Sequence, residues 1–285
     1  MQLQQAQRSK AKIKIGLQAP SGAGKTYSAL LLAKGLCGDY SKVAVIDTEN
    51  HSVDLYSHVG NYNVLHLEAP FSPERYIEAI TICQDSGMEV IIIDSISHEW
   101  EGTGGILDVH SNMVGNSFTN WNKVTPRHND FVQKILQSSC HIIATIRAKQ
   151  DYVLSEKNGK MVPEKVGLKG VTREGMEYEL TVVFEIDIKH QAKSSKDRTG
   201  LFDKTPEFII SEKTGERILE WCNKSTTLDD VRAKIRYCTS VNELTEIYNA
   251  YPELRNALLT QFTARKTQLT GTKSITTEKQ SIWKS

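Results

Sequence analysis

Residues 19–26, Ala-Pro-Ser-Gly-Ala-Gly-Lys-Thr, have the composition and spacing of a phosphate-binding loop of the Walker A type. Small residues allow backbone N–H groups to surround a β-phosphate, and the N-terminus of a following helix adds partial positive charge. Lys25 is placed to reach the β- and γ-phosphates, and the hydroxyl of Thr26 is placed to bind Mg²⁺. Ala19 replaces the first glycine of the strict pattern. The alternative, a chance Gly/Ser-rich turn, is disfavoured by the strand-like and helix-like runs on either side.

The predicted nucleotide contacts are these nine consecutive residues: Ala19, Pro20, Ser21, Gly22, Ala23, Gly24, Lys25, Thr26 and Tyr27.

Two apolar runs end in acids that suit phosphate chemistry. The run 89–95 is a Walker B pattern that ends in Asp94-Ser95, and its carboxylate is expected at the carboxyl edge of a sheet, where it would hold Mg²⁺. The run 43–51 contains Asp47 and Glu49, on a strand expected to lie beside the phosphate loop. Glu49 is the candidate that orients and deprotonates the attacking water, with Asp47 in support. The alternatives are a helix-capping Asp94 and solvent-exposed loop acids at 47 and 49.

Strands and helices that alternate along the chain would position these residues. The predicted strands are 12–17, 42–47, 63–68, 89–94, 141–146, 180–189 and 207–210. The predicted helices are 26–36, 73–86, 125–138, 228–238, 241–248 and 253–269. This order predicts an α/β fold in which helices cover both faces of a mostly parallel central sheet. Near-continuous β-branched residues in 90–93 indicate a strand that is buried on both faces.

The chain is expected to have three parts. Residues 1–225 form the α/β core, 226–269 form a small helical module with Thr227 and Ser240 at N-cap positions, and 270–285 form a disordered basic tail.

Composition excludes several classes of protein. The formal net charge is +1, so any nucleic-acid surface must be local rather than global. The five cysteines are scattered without a CxxC pair, which argues against a disulfide framework or a zinc site and favours a reducing compartment. No apolar run is long enough to span a bilayer, so no membrane partner is expected. His98, Glu99 and His110 fit no recognised metal-ligand spacing.

The middle of the chain resembles the RecA-like recombinase core, through 47–51 (Asp-Thr-Glu-Asn-His), 92–95 (Ile-Ile-Asp-Ser) and 142–147 (Ile-Ile-Ala-Thr-Ile-Arg). Together with 95–100, 165–169, 173–179 and 196–198, the pattern is similar to phage-associated RecA-like ATPases that act as single-strand annealing recombinases. The resemblance covers roughly residues 10–215. It implies a cytoplasmic protein of a bacterial host cell and leaves open whether a phage or the bacterium encodes it.

The resemblance also implies roles for three further residues. Thr145 occupies the position at which a sensor residue of the family responds to the γ-phosphate, although RecA itself has Gln there. Lys196 and Arg198 resemble the Lys-x-Arg pair that reaches a neighbouring subunit's γ-phosphate and stabilises transition-state charge. The alternatives are a threonine at the end of a buried strand and a solvated charged turn.

A basic loop after the strand that carries Thr145, residues 148–172, is the expected contact with single-stranded DNA, and 101–123 is a second candidate loop. Lysines would neutralise phosphates, and an aromatic side chain would stack on a base. The candidate contacts are Trp121, Lys149, Lys157, Lys160, Lys165 and Lys169. Trp121 has a second interpretation as a surface anchor, and core packing is preferred for Trp100.

The function that these patterns favour is an ATPase that uses ATP and Mg²⁺, assembles as a homo-oligomeric ring or filament on single-stranded DNA, and supports recombination or annealing. A single-strand-binding or replication protein is a further expected partner. One alternative is a helicase-like motor or partner-loading ATPase. The other is a nucleotide-switched protein that binds a protein partner and no DNA, which the near-neutral charge keeps open.

Overall fold

The computed structural model describes residues 12–157, 160–223 and 228–270, with the side chains of 150–157, 160–168, 230 and 253 outside the description. The chain divides into two compact units, Lys10–Cys222 and the part from Asn223 onwards. The predicted tail and the predicted cap Thr227 lie outside the described residues, apart from Thr270, which ends the last helix. In the described part, no helix combines the length and apolar character that a membrane crossing requires.

The strands are β1 (Lys14–Ala19), β2 (Val43–Asp47), β3 (Asn63–His66), β4 (Val90–Asp94), β5 (His141–Lys157), β6 (Lys160–Gly170), β7 (Val182–Ile186) and β8 (Ala192–Asp197). The α-helices are α1 (Lys25–Cys37), α2 (Pro73–Asp85), α3 (Ser97–Glu101), α4 (Ile106–Ser111), α5 (Ser117–Gln137), α6 (Met176–Glu179), α7 (Glu212–Asn223), α8 (Leu228–Tyr237), α9 (Val241–Ala250) and α10 (Arg255–Thr270). Short 3₁₀ helices cover Tyr40–Lys42, Ser52–Val59 and Pro252–Leu254.

The strands form one mostly parallel sheet in the order β3-β2-β4-β5-β1-β7-β8, and β6 pairs with β5. The predicted α/β class is therefore confirmed. The β7–β8 and β5–β6 pairs are antiparallel, whereas the pairs among β1, β2, β3, β4, β5 and β7 are parallel. One expectation is wrong: β2 does not adjoin the strand of the phosphate loop, because β4 and β5 lie between them.

Successive side chains of the central strands pack into two separate hydrophobic cores, one on each face of the sheet. Val90 and Ile92 point into a core shared with α1 and α7, while Ile91 and Ile93 point into a second core with α2 and α5. These side chains are at most 1 % exposed. Burial on both faces explains why the sequence of β4 is a continuous apolar run. The parallel pairing of β4 with β2 and β5 places the carboxyl ends of these strands at one edge of the sheet.

Helices α1 and α7 approach each other at a pair of glycines. A Cβ atom added to Gly35 would lie 2.0 Å from Glu212 O and 2.8 Å from Gly215 Cα. One added to Gly215 would lie 2.3 Å from Leu32 O. The two backbones are therefore in direct contact at this crossing, which a side chain at either position would prevent.

Three predicted boundaries are wrong for identifiable reasons. The expected loop 148–172 is largely an antiparallel hairpin, because β5 continues to Lys157 and pairs with β6. The second candidate loop, 101–123, contains α4 and the first turns of α5, which begins at Ser117 rather than near Thr125. The side chain of Asn116 caps α5 by accepting from Phe118 N and Thr119 N, and Pro126 lies inside the helix.

A further correction concerns 207–210, which forms only an isolated bridge between Phe208 and Ala192 rather than a strand. Lys196 belongs to β8 instead of a charged turn.

The unit from Asn223 onwards contains three α-helices in its described part, α8 to α10. They share a small core, whose buried residues are Val231, Ile235, Cys238, Leu244, Leu258 and Phe262. Ser240 caps α9, since its side chain accepts from Glu243 N at 3.2 Å.

Candidate nucleotide-binding and catalytic site

The phosphate loop joins β1 to α1 at the carboxyl edge of the sheet. Gly22 and Gly24 have φ values of 81° and 86°, which side chains disfavour, so these two positions need glycine. Lys25 Nζ donates to the carbonyls of Ala19 and Pro20 at 3.1 and 3.0 Å. Burial lowers the pKa of Lys25, while the charges of Asp94 and Glu49 oppose that shift. The loop therefore presents a helix N-terminus and an ammonium group to the same space.

Asp94, at the end of β4, joins the loop to the sheet. Its Oδ2 accepts from the hydroxyl of Thr26 at 2.5 Å, and its Oδ1 accepts from the hydroxyl of Thr145 at 2.5 Å. Burial raises the pKa of the Asp94 carboxyl, although both threonine hydroxyls act in the opposite direction. An adjacent hydroxyl and carboxylate form the all-oxygen donor set that Mg²⁺ prefers, so Thr26 and Asp94 fit a magnesium site.

Glu49 lies in a bidentate ion pair with Arg147. Arg147 Nε donates to Glu49 Oε1 at 2.8 Å, and Arg147 Nη2 donates to Glu49 Oε2. Burial by itself would raise the pKa of Glu49, but the hydrogen bond and charge of Arg147 outweigh it, and the net pKa is lowered. Glu49 is therefore an ionised carboxylate that is held by a cation of its own chain.

Neighbouring side chains fix the backbone that carries Glu49. Asp47 Oδ1 accepts from Glu49 N at 2.7 Å, and Ser95 Oγ donates to Glu49 Oε1 at 3.0 Å. The Thr48 hydroxyl contacts His98 Nδ1 at 2.8 Å and accepts from Ser95 N at 2.9 Å. The adjacent parallel strands β2 and β4 thus hold both acid-bearing segments together.

These groups share one cleft of about 900 Å³, lined by Lys25, Thr26, Glu49, Asp94 and Arg147 among others. Its apolar lining includes Tyr27, Leu31, Leu55, Tyr56, Ile209 and Ile210. The rings of Tyr27 and Tyr56 are 6.0 Å apart. A polar end that suits phosphates and an apolar side that suits a flat base match the two halves of a nucleotide.

The predicted pair Lys196 and Arg198 lies elsewhere. Lys196 Nζ and Arg198 Nη2 both donate to the carbonyl of Tyr178, the latter at 3.0 Å. Among the described residues, neither lines the nucleotide cleft, whereas Lys196 borders a separate cleft of about 330 Å³ with Lys169. The two cations therefore share a location without reaching the phosphate loop of their own chain.

The candidate DNA contacts lie on two elements, the hairpin of β5 and β6 and the helix α5. Lys149 and Lys169 are register partners across the hairpin, and Lys149 Nζ lies 3.1 Å from Glu101 Oε2. The side chains of the other three candidates, Lys157, Lys160 and Lys165, lie outside the described part. The ring of Trp121 stacks against His110, at 4.1 Å, and against Trp100, at 6.0 Å between centroids.

His98, His110, His128 and Glu99, in the segments that carry Trp100 and Trp121, have contacts of their own. His128 Nδ1 lies 3.0 Å from Glu99 Oε2 in a buried pair, and burial raises the pKa of Glu99. His110 Nε2 contacts Ser117 O at 3.0 Å. His98 stacks on Phe71, and burial lowers its pKa.

Several site residues were missed by the sequence interpretation. Arg147 appeared only as part of a strand pattern, because its partner Glu49 is 98 positions away. His190 contacts the phosphate loop through its Nδ1, 3.0 Å from Ala23 O, and Tyr56 lines the cleft. No local pattern marks these residues, since distant segments bring them to the site.

In a comparison with protein families, residues 11–229 match the family described as AAA domain. The matched region contains the whole cleft and the sheet. No curated protein matches the chain.

Proposed function

The chain belongs to the AAA domain family, of P-loop NTPase type, and from this premise we propose that it hydrolyses ATP in a homo-oligomer bound to single-stranded DNA, in annealing or recombination. The nucleotide-binding ATPase type follows from the family. The DNA, the oligomer and the cellular process are the proposed part.

One observation carries the ATPase mechanism: Asp94 accepts from Thr26 and Thr145 at 2.5 Å in the cleft that also holds Glu49 and Lys25. Lys25 and the N-terminus of α1 would bind the phosphates, and Thr26 and Asp94 would hold Mg²⁺. When bound, Mg²⁺ supplies positive charge against the phosphate oxygens.

Hydrolysis of ATP then requires a group that accepts a proton from the attacking water. In the proposed step the water oxygen bonds to the γ-phosphorus, the bond from that phosphorus to the ADP oxygen breaks, and Glu49 accepts the proton. The depressed pKa keeps Glu49 unprotonated at neutral pH. Its carboxylate oxygens are engaged by Arg147 and Ser95, so the ion pair must loosen before Glu49 can orient water.

Arg147 connects this requirement to the proposed DNA contact. It is followed at once by Ala148 and Lys149, where β5 leaves the sheet and pairs with β6. We assign to Arg147 the role of a positioning residue. In this proposal, DNA bound to the hairpin shifts β5 and moves Arg147 away from Glu49, and the rate of ATP hydrolysis rises. Thr145, two residues earlier, would follow the same shift through Asp94.

The proposed oligomer accounts for Lys196 and Arg198. Among the described residues, both cations donate hydrogen bonds to backbone carbonyls alone, and they lie apart from their own chain's nucleotide cleft. In a ring or filament they would reach the γ-phosphate in the next subunit and stabilise the transition state.

The experiment is the ATPase rate with and without single-stranded DNA, on a sample of known oligomeric state. We expect DNA to raise the ATPase rate of the wild type, and Glu49→Gln to lower that rate by at least about 100-fold. Glu101→Gln, an acid that lines the same cleft, is the matched control and is expected to retain hydrolysis. Equal hydrolysis by wild type and Glu49→Gln would contradict the assigned base.

Other outcomes identify the competing functions. Directional, ATP-dependent unwinding of a duplex would identify a motor or loader, whereas annealing without unwinding supports the recombination proposal. Absence of DNA binding, or binding that does not weaken as salt rises, would identify a nucleotide-switched protein-binding module.

A further inference from the structure

Three polar side chains converge at the outer edge of the sheet, beside β3. His66 is the last residue of β3, Asp54 lies on the 3₁₀ helix Ser52–Val59, and His51 directly precedes that helix. His51 Nδ1 is 3.1 Å from His66 Nε2 and 3.2 Å from Asp54 Oδ2, and His66 Nε2 is 3.7 Å from Asp54 Oδ2. Two imidazole nitrogens and one carboxylate oxygen thus form a compact triangle.

The size of this triangle fits a common metal geometry. Two ligand atoms held about 2.0–2.1 Å from one tetrahedral Zn²⁺ lie about 3.3 Å apart. The three distances among these atoms, 3.1, 3.2 and 3.7 Å, bracket that separation. Imidazole and carboxylate donors suit Zn²⁺ and related divalent transition metals, whereas Mg²⁺ prefers oxygen ligands only.

Asp47 provides a second, independent observation. Its carboxyl group is fully buried, and its Oδ2 has no hydrogen-bond partner within the described structure but lies 3.5 Å from His66 Nδ1. Asp47 and His66 are register partners of β2 and β3, so the sheet fixes this approach. A carboxylate behind the distal nitrogen of a histidine is the arrangement that orients metal-binding imidazoles.

Exposure of the three side chains leaves room for further ligands. The side chains of His51, Asp54 and His66 are 59, 50 and 32 % exposed. A metal ion with three protein ligands on this surface would take its remaining ligand from solvent or from a partner.

We propose that His51, Asp54 and His66 bind one divalent transition metal ion of the Zn²⁺ class, with Asp47 as the positioning residue behind His66. The site is separate from the proposed magnesium site at Thr26 and Asp94. It adjoins the catalytic segment all the same, because Asp47 also accepts from Glu49 N at 2.7 Å. The ion would therefore fix the residues that precede and follow Glu49.

Titration of the full chain with Co²⁺ tests this proposal. The sample is prepared without an affinity tag, and an excess of Mg²⁺ occupies the proposed magnesium site. Wild type is expected to bind one Co²⁺ per chain, with the visible absorption of a tetrahedral ion, and Zn²⁺ should displace it. His51→Ala and His66→Ala should bind at least tenfold more weakly, and Asp47→Asn about 10–100-fold more weakly.

His58→Ala is the matched control, because His58 is an exposed histidine on the same 3₁₀ helix and outside the cluster. It should bind Co²⁺ as the wild type does. A metal-dependent rise in Tm should occur in wild type and His58→Ala and disappear in the two alanine variants, whose metal-free Tm values report folding. No Co²⁺ binding by the wild type, or unchanged binding by His51→Ala and His66→Ala, would overturn the proposal.

Discussion

At the scale of single residues, the cleft contains a catalytic candidate that is restrained by its own chain. Arg147 pairs with Glu49 through two hydrogen bonds, and Ser95 adds a third. The ion pair is partly exposed, with the Arg147 side chain 41 % exposed, so its stabilising effect on the fold is small. The ion pair affects the reactivity of Glu49 more than it affects the stability of the fold.

Arg147→Ala is expected to weaken the coupling between DNA and hydrolysis. Without the guanidinium, Glu49 is no longer held in the absence of DNA, so the basal rate should rise and the stimulation by DNA should fall to less than half of the wild-type ratio. The measurement is steady-state ATPase with and without single-stranded DNA. Arg127→Ala, which removes a similar bidentate pair with Glu74, is the control. Wild-type stimulation in Arg147→Ala would refute this role.

His141 is expected to make folding stability sensitive to acid. Burial, followed by the charges of Lys12 and Lys14, lowers its pKa from 6.5 to about 4. Between these values the unfolded chain binds a proton that the folded chain does not bind. The contribution of neutral His141 to the free energy of unfolding is therefore complete above pH 6.5, and about 3 kcal/mol of it is lost as pH falls to 4.

Urea unfolding from pH 7.5 to 4 measures this effect, by comparing wild type with His141→Asn. The asparagine Oδ1 can replace Nδ1 as the acceptor for Ile13 N, which is 3.2 Å from Nδ1. His141→Asn should lose less stability across this window than the wild type, while exposed His58→Asn should lose the same amount. Identical pH profiles for wild type and His141→Asn would contradict the shift.

Sequence patterns reveal those residues whose partners are near in sequence or belong to a known motif. The loop around Lys25, the strand ending in Asp94 and the helical spacing of α2 are all of this kind. Arg147 with Glu49, and His51 with His66, become visible only when β2, β3 and β5 are placed in one sheet. Pairing across a sheet depends on topology, which a local pattern does not contain.

At the scale of elements, the contact between α1 and α7 depends on the absence of side chains. Gly35→Ala would place a Cβ atom 2.0 Å from Glu212 O, so the helices must separate. The free energy of unfolding should fall by about 1–3 kcal/mol. Urea denaturation measures it, and Lys213→Ala, an exposed change on α7, should stay within about 0.5 kcal/mol of wild type. Unchanged stability in Gly35→Ala would show that the helices are farther apart in solution.

The hairpin of β5 and β6 is the element proposed to contact DNA. Lys149→Ala together with Lys169→Ala removes two facing cations, so binding to single-stranded DNA should weaken and its salt dependence should become shallower by about one ion per lysine. Fluorescence anisotropy at several salt concentrations measures both quantities. Lys189→Ala with Lys213→Ala is the exposed control pair, and an equal loss there would indicate a nonspecific charge effect.

The hairpin also shows why an element can be misread. Residues 148–172 contain glycines and lysines that indicate a loop, and the strand pattern before them ends at Ile146. Pairing between β5 and β6 supplies the backbone hydrogen bonds that composition alone does not predict.

At the scale of the whole molecule, the proposal requires active sites that two subunits share. Glu49→Gln subunits mixed with Arg198→Ala subunits should recover part of the hydrolysis, because some interfaces then combine an intact Glu49 with an intact Arg198. ATPase of the mixture, after assembly has been verified, is the measurement.

Lys25→Ala subunits mixed with Glu49→Gln subunits form the control, since every nucleotide site in that mixture carries a defect. No recovery in the first mixture, with both variants assembled, would count against the role of Arg198 in a neighbouring site.

One strand, β5, runs from His141 to Lys157, and so passes Asp94 and Glu49 before it enters the hairpin. Linkage between two ligands of such a strand is reciprocal: the factor by which nucleotide changes the affinity for a ligand on the hairpin equals the factor by which that ligand changes the affinity for nucleotide. The proposed contact of single-stranded DNA with the hairpin can therefore be tested without any catalysis, as a change in the dissociation constant of a fluorescent nucleotide when the DNA is added.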